Sequence, residues 1–227
     1  MIVVVGSGLV AVTAAQHLLD TGHDVTLTTA HAEFGFPHGG CGLWTTDVLP
    51  WPLDTLEEAV ATSTNGLVTC RSQWLVKRLV HRFASDGGQT STRVRFKDEG
   101  GTTVTVGTGA VSSPPYHRIF VADQDVPEPA PSVGEPLLNP TSMSTWYGAI
   151  VVEGTPMSLG NHGVRSDGSI EVWTQEKEEL VPFRSTTLET MQVTWVNDGE
   201  ALDAARVASR VRDAVDAFLT SGLLDEA

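Results

Sequence analysis

Gly6, Gly8 and Ala11 stand in the order Gly-x-Gly-x-x-Ala, directly after the β-branched run Ile2-Val3-Val4-Val5. Residues of these types at this spacing can hold a phosphate. Gly6 permits a tight strand-to-helix turn. Gly8 has no Cβ, so the backbone can come close to a pyrophosphate, and Ala11 is small enough for the helix to pack on the strand. The backbone N–H groups of the first helical turn, at Leu9, Val10 and Ala11, then face an anion together with the positive end of the helix dipole. A glycine turn of this kind also occurs in α/β proteins that bind nothing. Here a strand precedes it, a helix follows and a second strand, Val25-Thr26-Leu27-Thr28, comes next, which favours a dinucleotide.

The end of that second strand departs from the usual pattern. A carboxylate is expected there for a ribose hydroxyl. The chain has Thr28 and Thr29, and the nearest acid is Glu33. A threonine hydroxyl can hydrogen-bond a ribose, more weakly than a carboxylate does. No arginine stands there for the 2′-phosphate of NADP.

Thr29 to Pro52 is a long connection rich in glycine, proline, histidine and tryptophan, and loops of this length are usually functional. At Gly39, Gly40 and Gly42 the backbone can approach a ligand closely; the alternative is a glycine-rich turn. Cys41, set among these glycines with His38 nearby, can act as a redox or acid/base thiol tuned toward the thiolate. The alternative is a small buried apolar residue. His38 can donate or relay a proton, or be an exposed loop residue. Trp44, Trp51, Trp146 and Tyr147 can line an apolar pocket, although most tryptophans belong to cores or interfaces. No metal site is expected: His117 and His162 are scattered, and Cys41 and Cys70 form no ligand motif. There is no Cys-x-x-Cys, Gly-x-Ser-x-Gly, phosphate-loop lysine motif or His-Glu-x-x-His. Dithiol, hydrolase, nucleotide-kinase and zinc-protease chemistry are therefore disfavoured.

The elements that must position these residues follow from periodicity. Ala11, Ala15 and Leu18 recur at helical spacing, and Gly22 closes that helix. Asp54 and Glu57 have capping-box spacing and predict a helix over about 55–63. Leu75, Leu79 and Phe83 mark the apolar stripe of a helix over 72–85, ended by Gly87-Gly88. From Ser91 the period is two, and Glu99-Gly100-Gly101 predicts the turn of a β-hairpin. Ile119-Phe120-Val121-Ala122 is a buried strand. Asp125 to Pro140 is proline-rich and reads as a loop or crossover. Strands follow at 146–153, 169–174 and 191–196, and Asn197 and Glu200 are spaced to cap a last helix over about 199–219.

Composition narrows the class. The 227 residues suffice for one large domain, or one with a small appendage. With 28 acidic and 14 basic residues the net charge is −14, which disfavours nucleic acid and anionic membranes. No apolar run is long enough to span a bilayer. The chain enters its first strand without a basic leader, so the cytoplasm is the default location. The acidic, lysine-poor composition is compatible with a salt-rich interior, and ordinary acidic proteins share it.

Taken together, Val3-x-Val5-Gly6-x-Gly8-x-x-Ala11-x-x-x-Ala15, Leu18-x-x-x-Gly22-x-x-Val25 and Glu33-Phe34-Gly35-Phe36-Pro37 with Cys41-Gly42-Leu43 resemble FAD-dependent oxidoreductases of the two-dinucleotide-binding-domain superfamily. Within it they are nearest the geranylgeranyl-reductase branch. The resemblance is specific over about the first 45 residues. It implies an α/β fold: a Rossmann-like parallel sheet with a β-hairpin arm and a small α+β insertion. The dinucleotide-binding domain would comprise residues 1–124 and 190–227, and a small β-rich substrate or interface region 125–189. It also implies FAD at Gly6, Gly8, Leu9, Val10, Ala11, Thr28 and Thr29, with Gly39, Gly40 and Gly42 near the flavin. In relatives a Gly-Asp pair before the last helix binds the ribityl chain. Here Asn197-Asp198 keeps the aspartate without the glycine, and helix capping is the other reading of Asp198. Cys41 and His38 are the candidate proton donors. The resemblance implies reduction of a small, apolar substrate such as an isoprenoid. An NAD(P)-dependent reductase and a non-catalytic Rossmann subunit are the alternatives, the latter with a partner protein. A homo-oligomer is also compatible.

Overall fold

The computed structural model describes residues 1–35, 41–45, 53–59, 62–64, 66–99, 102–106, 118–122, 143–196 and 204–221. In chain order the elements are β1 (Ile2–Val5), α1 (Leu9–Asp20), β2 (Val25–Thr28), β3 (Leu43–Thr45), α2 (Leu53–Glu58), β4 (Thr62–Thr64), β5 (Leu67–Thr69), α3 (Ser72–Ser85), β6 (Gln89–Ser91), β7 (Arg95–Glu99), β8 (Thr102–Val106), β9 (Arg118–Val121), β10 (Met143–Val151), β11 (His162–Val164), β12 (Ile170–Thr174), a 3-10 turn (Lys177–Phe183), β13 (Thr187–Val196) and α4 (Ala204–Ser221). They fall into two compact units. One comprises Met1–Pro37, Leu79–Asn139 and Val207–Ala227, the other His38–Arg78 and Pro140–Arg206.

The first unit is built on a four-stranded parallel sheet, β6-β2-β1-β9. β1 is entirely β-branched, and such side chains suit the pleated surface of a sheet buried on both faces. Val3, Val5, Ile119 and Val121 form a cluster on one face. Val4 and Leu27, both fully buried, point to the opposite one. α1 presents Ala11, Val12, Ala14, Ala15 and Leu18 to the interior. Three of these five are alanines, which keeps the helix close to what it covers. Its end is a Schellman motif: Gly22 has φ +90°, its N–H donates to Leu19 O at 2.9 Å, and His23 N–H donates to Leu18 O at 3.2 Å. β7 and β8 form the expected hairpin, with Glu99 opposite Thr102. α4 buries Val211 and Val215. Its Phe218 packs edge-on against Phe120 at 4.9 Å, and the Arg118 guanidinium lies 3.8 Å over the Phe218 ring and donates to Phe218 O.

The second unit has an antiparallel sheet, β11-β12-β10-β13, and a three-stranded one, β3-β5-β4. β12 is buried on both faces. Ile170 and Val172 join Ala149, Val151 and Phe183 on one side. Trp173 joins Cys41, Leu43 and Trp146 on the other. Two glycines create room on that second face. A Cβ on Gly148 would stand 2.9 Å from the Trp173 indole, and one on Gly163 would stand 2.0 Å from Thr69 Oγ1.

Several elements differ from the sequence expectation. β3 lies inside the stretch expected to be a loop, because Leu43 and Trp44, both at most 1% exposed, pair with β5. α2 spans Leu53–Glu58 rather than 55–63, and β4 follows at three hydroxyl-bearing residues. Asp54 lies within α2, not before it, and its carboxylate accepts from Thr55 N at 2.7 Å. β6, read only as the start of the hairpin region, is a parallel strand on β2. α4 starts at Ala204; the expected cap residues Asn197 and Glu200 lie outside the described residues. So does the proline-rich segment.

Candidate functional site

Position in the sheet makes the β1–α1 turn distinctive. β2 and β6, next along the chain among the parallel strands, lie on one side of β1, and β9 lies on the other. The chain therefore runs outward from β1 through β2 to β6 and then crosses back to β9 on the other side of β1, so the strand order reverses at β1. The crevice at the carboxyl ends of such strands is where open α/β sheets bind ligands. Gly6, Gly8, Leu9, Val10 and Ala11 sit at that end of β1.

The turn is held from both sides. Gly6 N–H donates to Thr28 O at 2.9 Å, and Ala122 N–H donates to Val5 O at 2.9 Å. The Ser7 carbonyl accepts from Gly35 N–H at 2.7 Å, and Gly35 takes φ +80°, where glycine is favoured. Gly8 is the N-cap of α1 with φ −99° and ψ −170°, and no side chain caps the helix. These angles suit any residue, so glycine at position 8 answers to space above the backbone rather than to strain. The first intrahelical bond runs from Val12 N–H to Gly8 O at 3.2 Å. Helix geometry leaves the N–H groups of Leu9, Val10 and Ala11 without intrahelical acceptors. No acidic side chain stands in that first turn, so nothing on the helix itself neutralises its positive end. The turn thus meets the requirements of a pyrophosphate cradle.

Thr28 and Thr29 lie beside it at the end of β2, and both are buried. Thr28 Oγ1 donates to Val4 O at 3.2 Å, a bond within the sheet. Thr29 Oγ1 accepts from His31 N–H at 3.2 Å, and its own proton can still be donated. The two threonines are not equivalent: position 29 is the one with a hydroxyl to offer.

Cys41 and Gly42 belong to the second unit. Gly42 N–H donates to Glu171 Oε1 at 2.7 Å, and Cys70 N–H donates to Gly42 O at 2.8 Å. A Cβ on Gly42 would lie 1.8 Å from the Cys70 carbonyl oxygen, so the close approach that glycine permits here is made by Cys70. Glu171 is fully buried. Oε1 also accepts from Trp173 Nε1 at 2.6 Å, and Oε2 accepts from Arg165 Nε and Nη2 at 2.9 and 2.6 Å. Each carboxylate oxygen thus takes two donors, the condition under which a buried charge is tolerated. Cys41 Sγ donates to Leu43 O at 3.2 Å. Burial, and then the Glu171 charge, push the Cys41 thiol well above its ordinary value. The same two causes push Cys70 up to about 12. The expected tuning toward a thiolate is therefore reversed: burial and the Glu171 charge outweigh the Leu43 hydrogen bond and the Arg165 charge, which act to lower it.

His38, Gly39, Gly40 and Asp198 lie outside the described residues. Sequence reasoning missed Gly35 as a support for the turn, and it missed Glu171 and Arg165. The second pair had one available signal, a lone carboxylate inside the apolar run Ile170–Thr174. Among the described residues no His/Cys/Asp/Glu group could hold a metal ion, and no helix is long and apolar enough to cross a membrane.

No protein-family model matches the chain, and no curated protein matches it. Solved structures do. A geranylgeranyl bacteriochlorophyll reductase-like protein from Thermoplasma acidophilum superposes with a TM-score of 0.63 at 12% identity, over 97% of this chain and 77% of that one. A flavoprotein/dehydrogenase from Cytophaga hutchinsonii gives 0.56 at 14%, over 99% and 80%. Glycine oxidase from Bacillus cereus gives 0.56 at 9%, over 97% and 95%. The fold is the α/β, Rossmann-like one of these structures, built on a parallel sheet. At these identities the likeness is one of architecture, and the parallel sheet with its glycine turn is the part that the sequence announces.

Proposed function

We propose that this protein is an FAD-dependent oxidoreductase acting on a small, apolar substrate. One observation carries the reading: the Gly6–Ala11 turn stands at the carboxyl end of β1, between β2 and β9, where the strand order of the parallel sheet reverses. In this reading the N–H groups of Leu9, Val10 and Ala11 hold the pyrophosphate, and Gly6 and Gly8 keep the space above them open. Thr29 offers its hydroxyl to the ribose, and Thr28 shapes the strand end. Asp198 holds the ribityl chain. Gly39 and Gly40 give the backbone a close approach, whereas at Gly42 that approach is taken by Cys70. When bound, the flavin supplies the hydride chemistry. Cys41 holds a proton at Sγ at neutral pH, as its burial requires, and His38 is the second candidate proton donor.

The test is native purification followed by release and identification of any bound cofactor. FAD is expected, with the visible spectrum of an oxidised flavin. Colourless protein that binds NADH or NADPH in calorimetry would replace this reading with an NAD(P)-dependent reductase. Protein that binds neither, and is recovered with a stable partner, would make it a non-catalytic Rossmann subunit. Of these alternatives Thr29 supports the non-catalytic subunit, because a hydroxyl where a carboxylate would bind the ribose more strongly weakens the hold on FAD and NAD(P) alike.

A further inference from the structure

Arg93 is the one non-glycine residue of positive φ among the described residues, at +60°. An L side chain resists this left-handed backbone, and such strain persists only where the surroundings fix it. They do so here. Thr29 N–H donates to Ser91 O at 3.0 Å, Arg93 N–H donates to His31 O at 2.9 Å, and Val94 N–H donates to Thr29 O at 2.9 Å. The Val94 side chain packs against the Val3, Val5, Ile119 and Val121 cluster. Residues 91–94 are thereby tied to the exit of β2, continuing the parallel pairing of Thr28 with Ser91. Glycine would take this φ without strain, and backbone bonds ask for no particular side chain. The arginine therefore answers to something beyond the turn. It is exposed, and its guanidinium has no hydrogen bond, ion pair or ring contact among the described residues.

Its place in the sheet indicates the partner. From β1 the strand order runs outward through β2 to β6, each step about 4.8 Å. In the reading proposed above, the pyrophosphate stands at the turn after β1 and the ribose at Thr29, after β2. One more step along the same edge reaches Arg93, after β6. That is where the base follows when a nucleotide runs from diphosphate through ribose along this edge. The geometry points to Arg93 as the platform for the adenine ring. Its planar guanidinium stacks on the face of the base, and this contact offsets part of what a threonine loses as a ribose ligand at position 29. The inference rests on the FAD reading and assigns its adenosine end a residue that lies far from the glycine turn in the chain.

ADP and inorganic pyrophosphate are the probes, since they share the diphosphate and differ in the nucleoside. Both are titrated in a calorimeter, at 0.1 M salt, into the full chain dialysed free of nucleotide. Arg93→Gly suits the backbone, so its melting temperature should be no lower than the parent's. It is expected to weaken ADP about five- to tenfold, the worth of one cation–ring contact. Pyrophosphate should weaken by less than about twofold, because two strand spacings are close to a Debye length. Arg93→Lys keeps the charge without the planar face and should lose most of the same ADP affinity. Equal ADP binding by parent and Arg93→Gly would overturn the platform and leave the FAD reading standing. Equal weakening of both probes would make Arg93 a general cation, and full ADP affinity in Arg93→Lys would show that charge alone matters; either overturns the stacking. So would tighter binding of adenosine 2′,5′-bisphosphate than of ADP, the mark of a 2′-phosphate ligand. A parent chain that binds neither probe would overturn this inference together with the cofactor crevice.

Discussion

Alanine at position 8 fits the backbone of the glycine turn, whose φ of −99° any residue adopts. Gly8→Ala is therefore expected to leave stability unchanged or raise it by about 0.5 kcal/mol, through the unfolded chain. If the proposed pyrophosphate site is right, its Cβ enters the space of the phosphate, and flavin content should fall by roughly tenfold or more, the loss of one or two charge-assisted bonds. Melting temperature and released flavin, measured on the same preparation, separate the two effects; a variant that unfolds early would mean the glycine serves the fold. Glu171 is a different kind of residue. It accepts from four donors and, among the described residues, is the charge paired with Arg165, itself 7% exposed. Glu171→Ala leaves a guanidinium buried without a counter-charge, at a cost of about 3–5 kcal/mol. Urea unfolding measures it. A loss below about 1 kcal/mol would put the pair in the class of surface ion pairs.

The turn between β11 and β12 shows how one element depends on a titrating side chain. Gly168 takes φ +82°, and Asp167 Oδ1 accepts from Ser169 N at 3.1 Å and Ser169 Oγ at 2.5 Å. Arg71 Nη2 donates to the other oxygen at 3.0 Å. The Ser169 hydroxyl first, and then Arg71, lower the Asp167 carboxyl from 3.8 to about 2. A carboxyl lowered on folding stabilises the folded state above its unfolded value and loses that contribution as pH falls through the folded one. Stability should thus decline from pH 3.8 toward about 2, and Asp167→Asn should flatten that part of the curve. The effect is small because both partners are 46% exposed. Acid titrations of melting temperature for parent and variant test it; parallel curves would remove Asp167 as the cause. Elements whose pattern is local were legible in the sequence. α3 runs from Ser72 to Ser85 as its apolar stripe predicts, and Gly22 ends α1. β3 and β6 were not legible: each has three residues, and their strand character comes from a partner distant in the chain. The same reason hid the Glu171 network, whose donors come from residues 42, 165 and 173.

For the whole molecule, the glycine motif and its flanking strands could be read from sequence, but the placement of β9 on the far side of β1 could not. That placement is set by the Val3, Val5, Ile119 and Val121 cluster, a long-range packing choice, and it is what turns a glycine turn into a candidate cofactor crevice. Charge, by contrast, is a property of the composition alone. Against 28 acidic residues the chain has 14 basic ones, so folding concentrates a net −14 on a compact surface and the folded state repels itself. Salt screens that repulsion over a Debye length that shrinks from ~10 Å at 0.1 M to ~3 Å at 1 M. Melting temperature should therefore rise between these concentrations by several degrees, on the order of 1–2 kcal/mol for a chain of this size. The described ion pairs Arg71–Asp167 and Arg82–Asp86 are exposed, and salt weakens them, but each is worth under about 1 kcal/mol. Repulsion among the excess carboxylates should win. Sodium and potassium chloride should act alike if screening is the cause, and a melting temperature that is flat or falling with salt would show that the acidic excess is spread too thinly to matter.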